Sequence, residues 1–257
     1  MWQEERYQRI RGLLHSLQRV STERIVAELG VSRETVRRDL VAMEKLGLLK
    51  RTHGGAICIG DEAPIAERAQ QNVAAKRAIA RAALAELTHG QTVFVDAGTT
   101  TAILAEELAR FGGLTVITNS FDVALTLRDA ADSQLPPNRV VVLGGTLGAR
   151  APSTLGADTV AEICRYRADV ALISPVGVEA GRGASNYDHQ EAAVARAMVD
   201  NAARLVLLAD SSKLGVGSRV VFCTPQRIDV LITERSAKPL PALEALATGV
   251  GRIVLAG

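Results

Sequence analysis

A chain of 257 residues, 47% hydrophobic and 23% charged, can bury a sizeable core in one large or two ordinary domains. It contains no tract of 18 uncharged apolar residues, which excludes a transmembrane helix and leads to the expectation of a cytoplasmic protein with no membrane partner. Net charge is only +2, but residues 1–56 hold 11 Lys and Arg against 7 Asp and Glu while the remainder holds 19 against 21, so the positive excess lies at the N-terminal end.

The opening MWQEERYQRIRGLL lacks a hydrophobic signal core and reads as an amphipathic helix, with Ile10, Leu13, Leu14 and Leu17 on one packed face. A second, short helix places Ile25 and Leu29 one turn apart. Gly30-Val31-Ser32 ends it, glycine suiting the left-handed position after a helix and Ser32 the N-cap of the next. In the third helix Val36, Leu40 and Met43 fall at i, i+4 and i+7 and form a buried stripe, leaving Arg33, Thr35, Arg37, Arg38 and Lys45 on the other side. A helix anchored on one side and rich in arginine on the other has the form of a recognition helix. Arginine donates two hydrogen bonds to guanine O6 and N7, or neutralises phosphates. From periodicity alone, a solvated surface helix in a small bundle fits equally well. Leu46-Gly47-Leu48-Leu49 closes the helix and starts a strand, and Lys50-Arg51-Thr52-His53-Gly54-Gly55 is a basic hairpin tip, a wing placed to touch the neighbouring backbone or minor groove.

Gly30-Val31-Ser32, Thr35 to Leu40, Glu44, Gly47-Leu48-Leu49 and His53-Gly54-Gly55-Ala56 resemble, in order and at the expected spacing, the winged helix-turn-helix signature of the DeoR family of bacterial sugar-metabolism repressors. The helix-turn-helix proper would run from Val20 to Asp39. The resemblance implies double-stranded operator DNA as partner, with Ser32, Arg33, Thr35, Arg37, Arg38, Lys50, Arg51, His53 and Gly54 at the interface.

From Ile57 to about Asn72 the periodicity breaks at Gly60, Asp61, Glu62 and Pro64, as in an interdomain linker. An Ala-rich helix over 70–87 comes next. Short apolar strands are then expected at 92–96, 114–118, 139–143, 169–174, 204–209, 229–233 and 252–256, with helices near 100–110, 121–129, 158–166, 188–202 and 240–247 between most of them. Such alternation predicts a parallel, mostly buried sheet covered by helices on both faces, where ligands bind beyond the carboxyl ends of the strands. Asp96-Ala97-Gly98-Thr99-Thr100-Thr101 succeeds the first strand and offers free N–H groups and hydroxyls to an anion. Thr118-Asn119-Ser120 succeeds the second, and Gly144-Gly145 with Arg150 the third. Asp210-Ser211-Ser212-Lys213 succeeds the fifth, with Lys213 placed to meet a phosphate as a point charge. Turn glycines and helix caps account for such clusters one at a time; four at the ends of one sheet are harder to dismiss.

The runs DAGTTT, TNS, LGG and ADSSK are also similar to the effector domain of DeoR-type regulators, whose fold resembles ribose-5-phosphate isomerase and whose effectors are phosphorylated sugars or polyols. The resemblance implies that Asp96, Gly98, Thr99, Thr100, Thr101, Asn119, Ser120, Gly145 and Lys213 line the pocket; Lys76-Arg77 matches a basic pair common in the family. At the fourth strand the chain departs from the family pattern, reading Ile173-Ser174-Pro175-Val176-Gly177-Val178-Glu179, with Gly177 and the acidic Glu179 kept, and Glu179 is expected with Arg150 among the effector-binding residues. The expected architecture is therefore α/β: a winged helix-turn-helix over 1–57, a linker over 58–72 and a parallel-sheet sensor domain over 73–257. One such reader covers about one half-site, so a homodimer or homotetramer is expected. The alternative is a sugar-phosphate isomerase with an attached helical domain, for which Glu179 is the one carboxylate at the place where the isomerases carry Asp-Gly-Ala-Asp-Glu. Cys58, Cys164 and Cys223 lie far apart and four histidines are scattered, so neither disulfides nor a metal nor a cofactor is expected, and the thiols read as reduced and mostly buried.

Overall fold

The N-terminal segment builds a three-helix core closed by a small sheet, as its apolar spacing requires. The computed structural model describes residues 2–17, 19–57, 65–130 and 136–257, and the chain divides into two compact units, residues 1–67 and 68–257. In the first unit α1 (Gln3–Leu17), β1 (Arg19–Ser21), α2 (Thr22–Leu29), α3 (Arg33–Lys45), β2 (Lys50–Thr52) and β3 (Gly55–Ile57) succeed one another. Ser21 accepts from Arg24 N to cap α2, and Gly30 closes that helix at φ +63°. The stripe Val36, Leu40 and Met43 packs against Ile10, Leu14, Ile25 and Leu29, each such burial stabilising the unit by about 1.5–3 kcal/mol. The sheet runs β1-β3-β2, antiparallel throughout. Gly55 is required there by close approach, since a Cβ would lie 2.1 Å from the Val20 carbonyl oxygen. The packed face of α1 ends earlier than its spacing predicts: Leu17 is 49% exposed, because the helix stops at that residue.

The helix α4 (Ile65–Gln70) runs across the division, and α5 (Val73–Leu84) opens the body of the second unit. The helix expected over 70–87 is thus cut at its start by Asn72, which takes a left-handed φ of 53°. Residues 58–64 of the expected linker, Cys58 among them, lie outside the described residues, whereas 65–70 is helical. Next along the chain are β4 (Thr92–Val95), α6 (Thr99–Phe111), β5 (Thr115–Thr118), α7 (Phe121–Asp129), β6 (Arg139–Val142), β7 (Thr146–Leu147), β8 (Thr154–Leu155), α8 (Ala157–Ile163) and β9 (Ala168–Ile173). The rest comprises β10 (Gly177–Glu179), β11 (Gly183–Asn186), α9 (His189–Asp200), β12 (Ala202–Leu208), β13 (Val220–Cys223), β14 (Val230–Glu234), α10 (Pro241–Ala247) and β15 (Arg252–Ala256).

Seven of these strands form one parallel sheet in the order β15-β14-β12-β9-β4-β5-β6. Alternate residues along each strand serve opposite faces. Val93 and Val95 join α5, α6 and α7 in one apolar layer, while Phe94 joins α8, α9 and α10 in the other. A smaller antiparallel sheet, β10-β11-β13, goes beyond the strands that the sequence pattern predicts. Cys223 is buried, where desolvation pushes its thiol up to about 11. Cys164, the C-cap of α8, is exposed, so the expectation of mostly buried thiols is met by Cys223 and not by Cys164. Among the described residues no helix is long and apolar enough to cross a membrane, and no group of three or more His, Cys, Asp and Glu is placed to hold a metal.

Candidate functional site

On the first unit, Ser32 caps α3 by accepting from Thr35 N at 3.1 Å, and its hydroxyl lies 2.8 Å from that of Thr35. Both residues therefore fix the start of the helix and set the direction of its outward arginines. Arg37 and Arg38 share Glu34, at 3.2 and 3.3 Å. The hydrogen bond from Arg37 is the leading cause that holds the Glu34 carboxyl below its usual range. Arg33 pairs with Glu23 at 3.1 Å. Arg51 donates its backbone N–H to Glu44 at 2.8 Å, which ties β2 to α3. As a result Arg37, Arg38, Lys45 and Arg51 line one open groove of about 420 Å³ together with Glu34, Val41 and Ala42. Lys50, His53 and Gly54 are exposed on the β2–β3 hairpin. Exposed ion pairs of this kind are weak and exchange readily for phosphate oxygens. This face is ordered from behind by Asp39, a residue of the Thr35-to-Leu40 run whose partner the sequence pattern does not give: buried, it accepts two hydrogen bonds from Arg6, at 2.6 and 2.9 Å, and locks α3 to α1.

On the second unit the chain leaves β4 for β5 and β6 in one direction, and β9 for β12, β14 and β15 in the other. The topological switch point therefore falls between β4 and β9, where open sheets of this kind bind ligands. Asp96 sits there, 6% exposed, and its carboxylate accepts from Ala97 N at 2.7 Å. Burial raises the Asp96 carboxyl to about 7; the Glu191 carboxylate adds to the rise, while the Ala97 N–H and the Lys213 ammonium oppose it. Lys213 bridges in from beyond β12, donating to Ser174 Oγ at 2.9 Å and to the Pro175 carbonyl at 2.7 Å. A Cβ on Gly98 would meet Ser174 Cβ at 3.9 Å, so the β4 and β9 ends face each other across a short gap. Asp96, Gly98 and Lys213 are thus brought together, joined by Ser174, from the fourth-strand run that departs from the family pattern, and by Glu191.

The other expected residues divide by role. Thr99 Oγ lies 3.0 Å from the Lys76 ammonium. Thr101 donates to the Gly98 carbonyl at 3.0 Å, and Ser120 caps α7. Thr100 Oγ and Asn119 Oδ1 are buried with no hydrogen-bond partner among the described residues, a condition that costs about 1–3 kcal/mol each. Gly145, at φ +144°, is demanded by packing: a Cβ would lie 2.0 Å from Thr159 Oγ. Glu179 stands 3.8 Å from Arg182, and its carboxylate lies over Gly217. Arg150 stacks on the Tyr187 ring at 4.4 Å, and Arg219, a residue the motifs miss, stacks on the same ring at 4.1 Å. The register β11–β13 places Tyr187 next to Arg219; without that sheet in the strand pattern, the pair has no signal in the sequence.

Comparison with known proteins agrees with this division. Residues 6–62 match the DeoR-like helix-turn-helix domain, and residues 71–235 match the DeoR C terminal sensor domain. The chain is 36% identical over 233 residues to the HTH-type transcriptional regulator GlpR of Haloferax volcanii, covering 90% of this chain and 89% of that protein. It is 29% identical over 248 residues to the glycerol-3-phosphate regulon repressor of Escherichia coli, covering 96% of each. Among solved structures, ribose 5-phosphate isomerase A of Methanocaldococcus jannaschii overlaps 56% of this chain and 55% of its own, at 19% identity and a TM-score of 0.39. With both domain models matched in order across these two units, the chain belongs to the DeoR family of transcriptional regulators, a DNA-binding helix-turn-helix joined to a sensor domain.

Proposed function

We propose that this chain is a cytoplasmic repressor of sugar or polyol metabolism genes, binding operator DNA as a homodimer or homotetramer under the control of a phosphorylated sugar or polyol. The observation that carries the reading is the meeting of Asp96, Gly98, Ser174 and Lys213 at the switch point of the parallel sheet. There Lys213 supplies a cation for the phosphate, Asp96 an acceptor or donor for a hydroxyl, and the N–H groups opening α6 a further anion contact. The names of the two relatives, both regulators and one of a glycerol-3-phosphate regulon, support the ligand class. On the DNA side, phosphate contacts from Arg33, Arg37, Arg38, Lys50 and Arg51 position the reader, while Thr35 and one or two of these arginines meet base edges. Ligand then releases DNA by favouring a sensor arrangement that fits the operator less well, a coupling of about 1–3 kcal/mol.

The test is a thermal-shift panel of sugar and polyol phosphates, sn-glycerol 3-phosphate and ribose 5-phosphate included, each beside its unphosphorylated parent. One phosphate is expected to stabilise the chain by about 2–3 kcal/mol at a hundredfold excess over its Kd, and Lys213→Ala is expected to abolish the shift. Each compound should be recovered unchanged, since the chain is read as a sensor and not an isomerase. A panel with no phosphate-dependent shift, or isomerised ribose 5-phosphate, overturns the proposal.

A further inference from the structure

Residues 68–72 carry the chain from the last turn of α4 into α5, and two pocket loops reach back to hold them. From the first turn of α6, Thr99 Oγ contacts the Lys76 ammonium, which also donates to the Arg68 carbonyl. Lys76 is 3% exposed, and a buried ammonium depends on such partners. From the turn after β12, Asp210 Oδ1 and Ser212 Oγ accept from the Asn72 side-chain amide at 2.9 and 3.3 Å. Asn72 is the sole non-glycine residue with positive φ among those described. It stands at the N-cap of α5, yet its side chain makes no capping bond to that helix. An asparagine at an N-cap ordinarily bonds the free N–H groups beside it. Here it gives up that bond and holds a strained backbone to reach a loop 138 residues further along the chain.

We infer that Asn72 and Lys76 are positioning residues that transmit effector occupancy to the segment leading to the DNA-binding unit, an inference that rests on the effector reading given above. An anionic ligand at the opening of α6 attracts the Lys76 ammonium and weakens its hold on the Arg68 carbonyl. A ligand that engages Lys213 draws that residue from Ser174 and Pro175, and the same three-residue turn carries Ser212. Both motions act on residues 68–72, so the segment has one arrangement with the pocket empty and another with it filled.

Asn72→Gly keeps the left-handed backbone and removes the amide; Lys76→Met removes the ammonium and keeps the bulk. In the full chain each is compared with wild type for two readouts. One is the thermal shift caused by the panel phosphate that stabilises wild type. The other is the ligand-induced change in affinity for a DNA fragment selected in vitro by the wild-type chain. Wild type is expected to lose affinity about fivefold or more on ligand binding. In Asn72→Gly the thermal shift should persist while that loss falls below about twofold, and Lys76→Met should reduce it likewise. Variants that melt lower but release DNA as wild type does overturn the inference, because the two residues are then only structural. Should either variant fail to fold, hydrogen exchange on wild type decides: ligand must change the protection of amides 68–76, and unchanged protection overturns the inference. No thermal shift for wild type with any phosphate removes the effector reading and this inference together.

Discussion

Arg37 and Arg38 are 69% and 79% exposed and share one glutamate at the surface, whereas Asp96 is 6% exposed and Asn119 1%. The two units thus keep their candidate site residues in opposite conditions. The reader holds its cations in weak surface pairs, and it needs only to exchange one set of oxygens for another when a polyanion arrives. The sensor buries its polar groups, Thr100 Oγ and Asn119 Oδ1 with no partner among the described residues, so a small ligand of matching charge is expected to meet several of them at once. Affinity for DNA is therefore expected to depend on salt and little on the stability of the fold. Sensing should depend on pH and on the packing of the strand ends.

The largest test of this contrast is Asp96. Its carboxyl at about 7, against 3.8 in the open chain, means that the folded state holds the proton more tightly. The associated stability is fully present below about pH 3.8, is lost as pH rises towards 7, and changes little above that. A shift of about three units corresponds to something on the order of 4 kcal/mol. Urea unfolding from pH 4 to 8 should show this decline in wild type and a flat profile in Asp96→Asn; equal slopes would mean that the carboxylate is solvated. Next comes Asp39→Ala, which strands Arg6 between α1 and α3 and should destabilise the first unit by about 3 kcal/mol, read as an earlier transition of that unit alone. An unchanged transition would place this pair with the exchangeable surface ones. Smallest in its effect on folding is Arg37→Ala with Arg38→Ala, expected to weaken operator binding by about 1–3 kcal/mol per base contact while the midpoint of melting scarcely moves. A large fall in melting temperature would show that these arginines brace the fold.

The reader is legible almost in full because its signals are local. The capping of α3 by Ser32, the left-handed Gly30 and the stripe Val36, Leu40, Met43 each act within one or two turns. The seven parallel strands are legible for the same reason, as runs of buried Val, Ile and Leu set between helices. The features that stay hidden are non-local or weakly patterned. β11 reads Gly-Ala-Ser-Asn, with neither alternation nor branched residues to mark a strand. The pairing of Arg6 with Asp39 spans 33 positions, and periodicity carries no information about which charges meet. Of the candidate site on the sensor, Asp96, Gly98 and Lys213 stand out at strand ends, but the strand order is needed to set Ser174 and Glu191 beside them. Thr101 and Ser120 are right as helix-start residues, yet their hydroxyls hold their own helix turns.

The sheet order has a consequence for the making of the molecule. Every strand pairing of the reader joins residues between 19 and 57, so it closes over short stretches of chain. At the centre of the sensor, by contrast, Val93 must find Val170, and the outer strand β15 comes after the other six strands of that sheet. Short-range contacts form quickly and long-range parallel pairings slowly, and synthesis proceeds from the N-terminus. A chain still being made therefore acquires a finished DNA reader well before it has anything with which to sense.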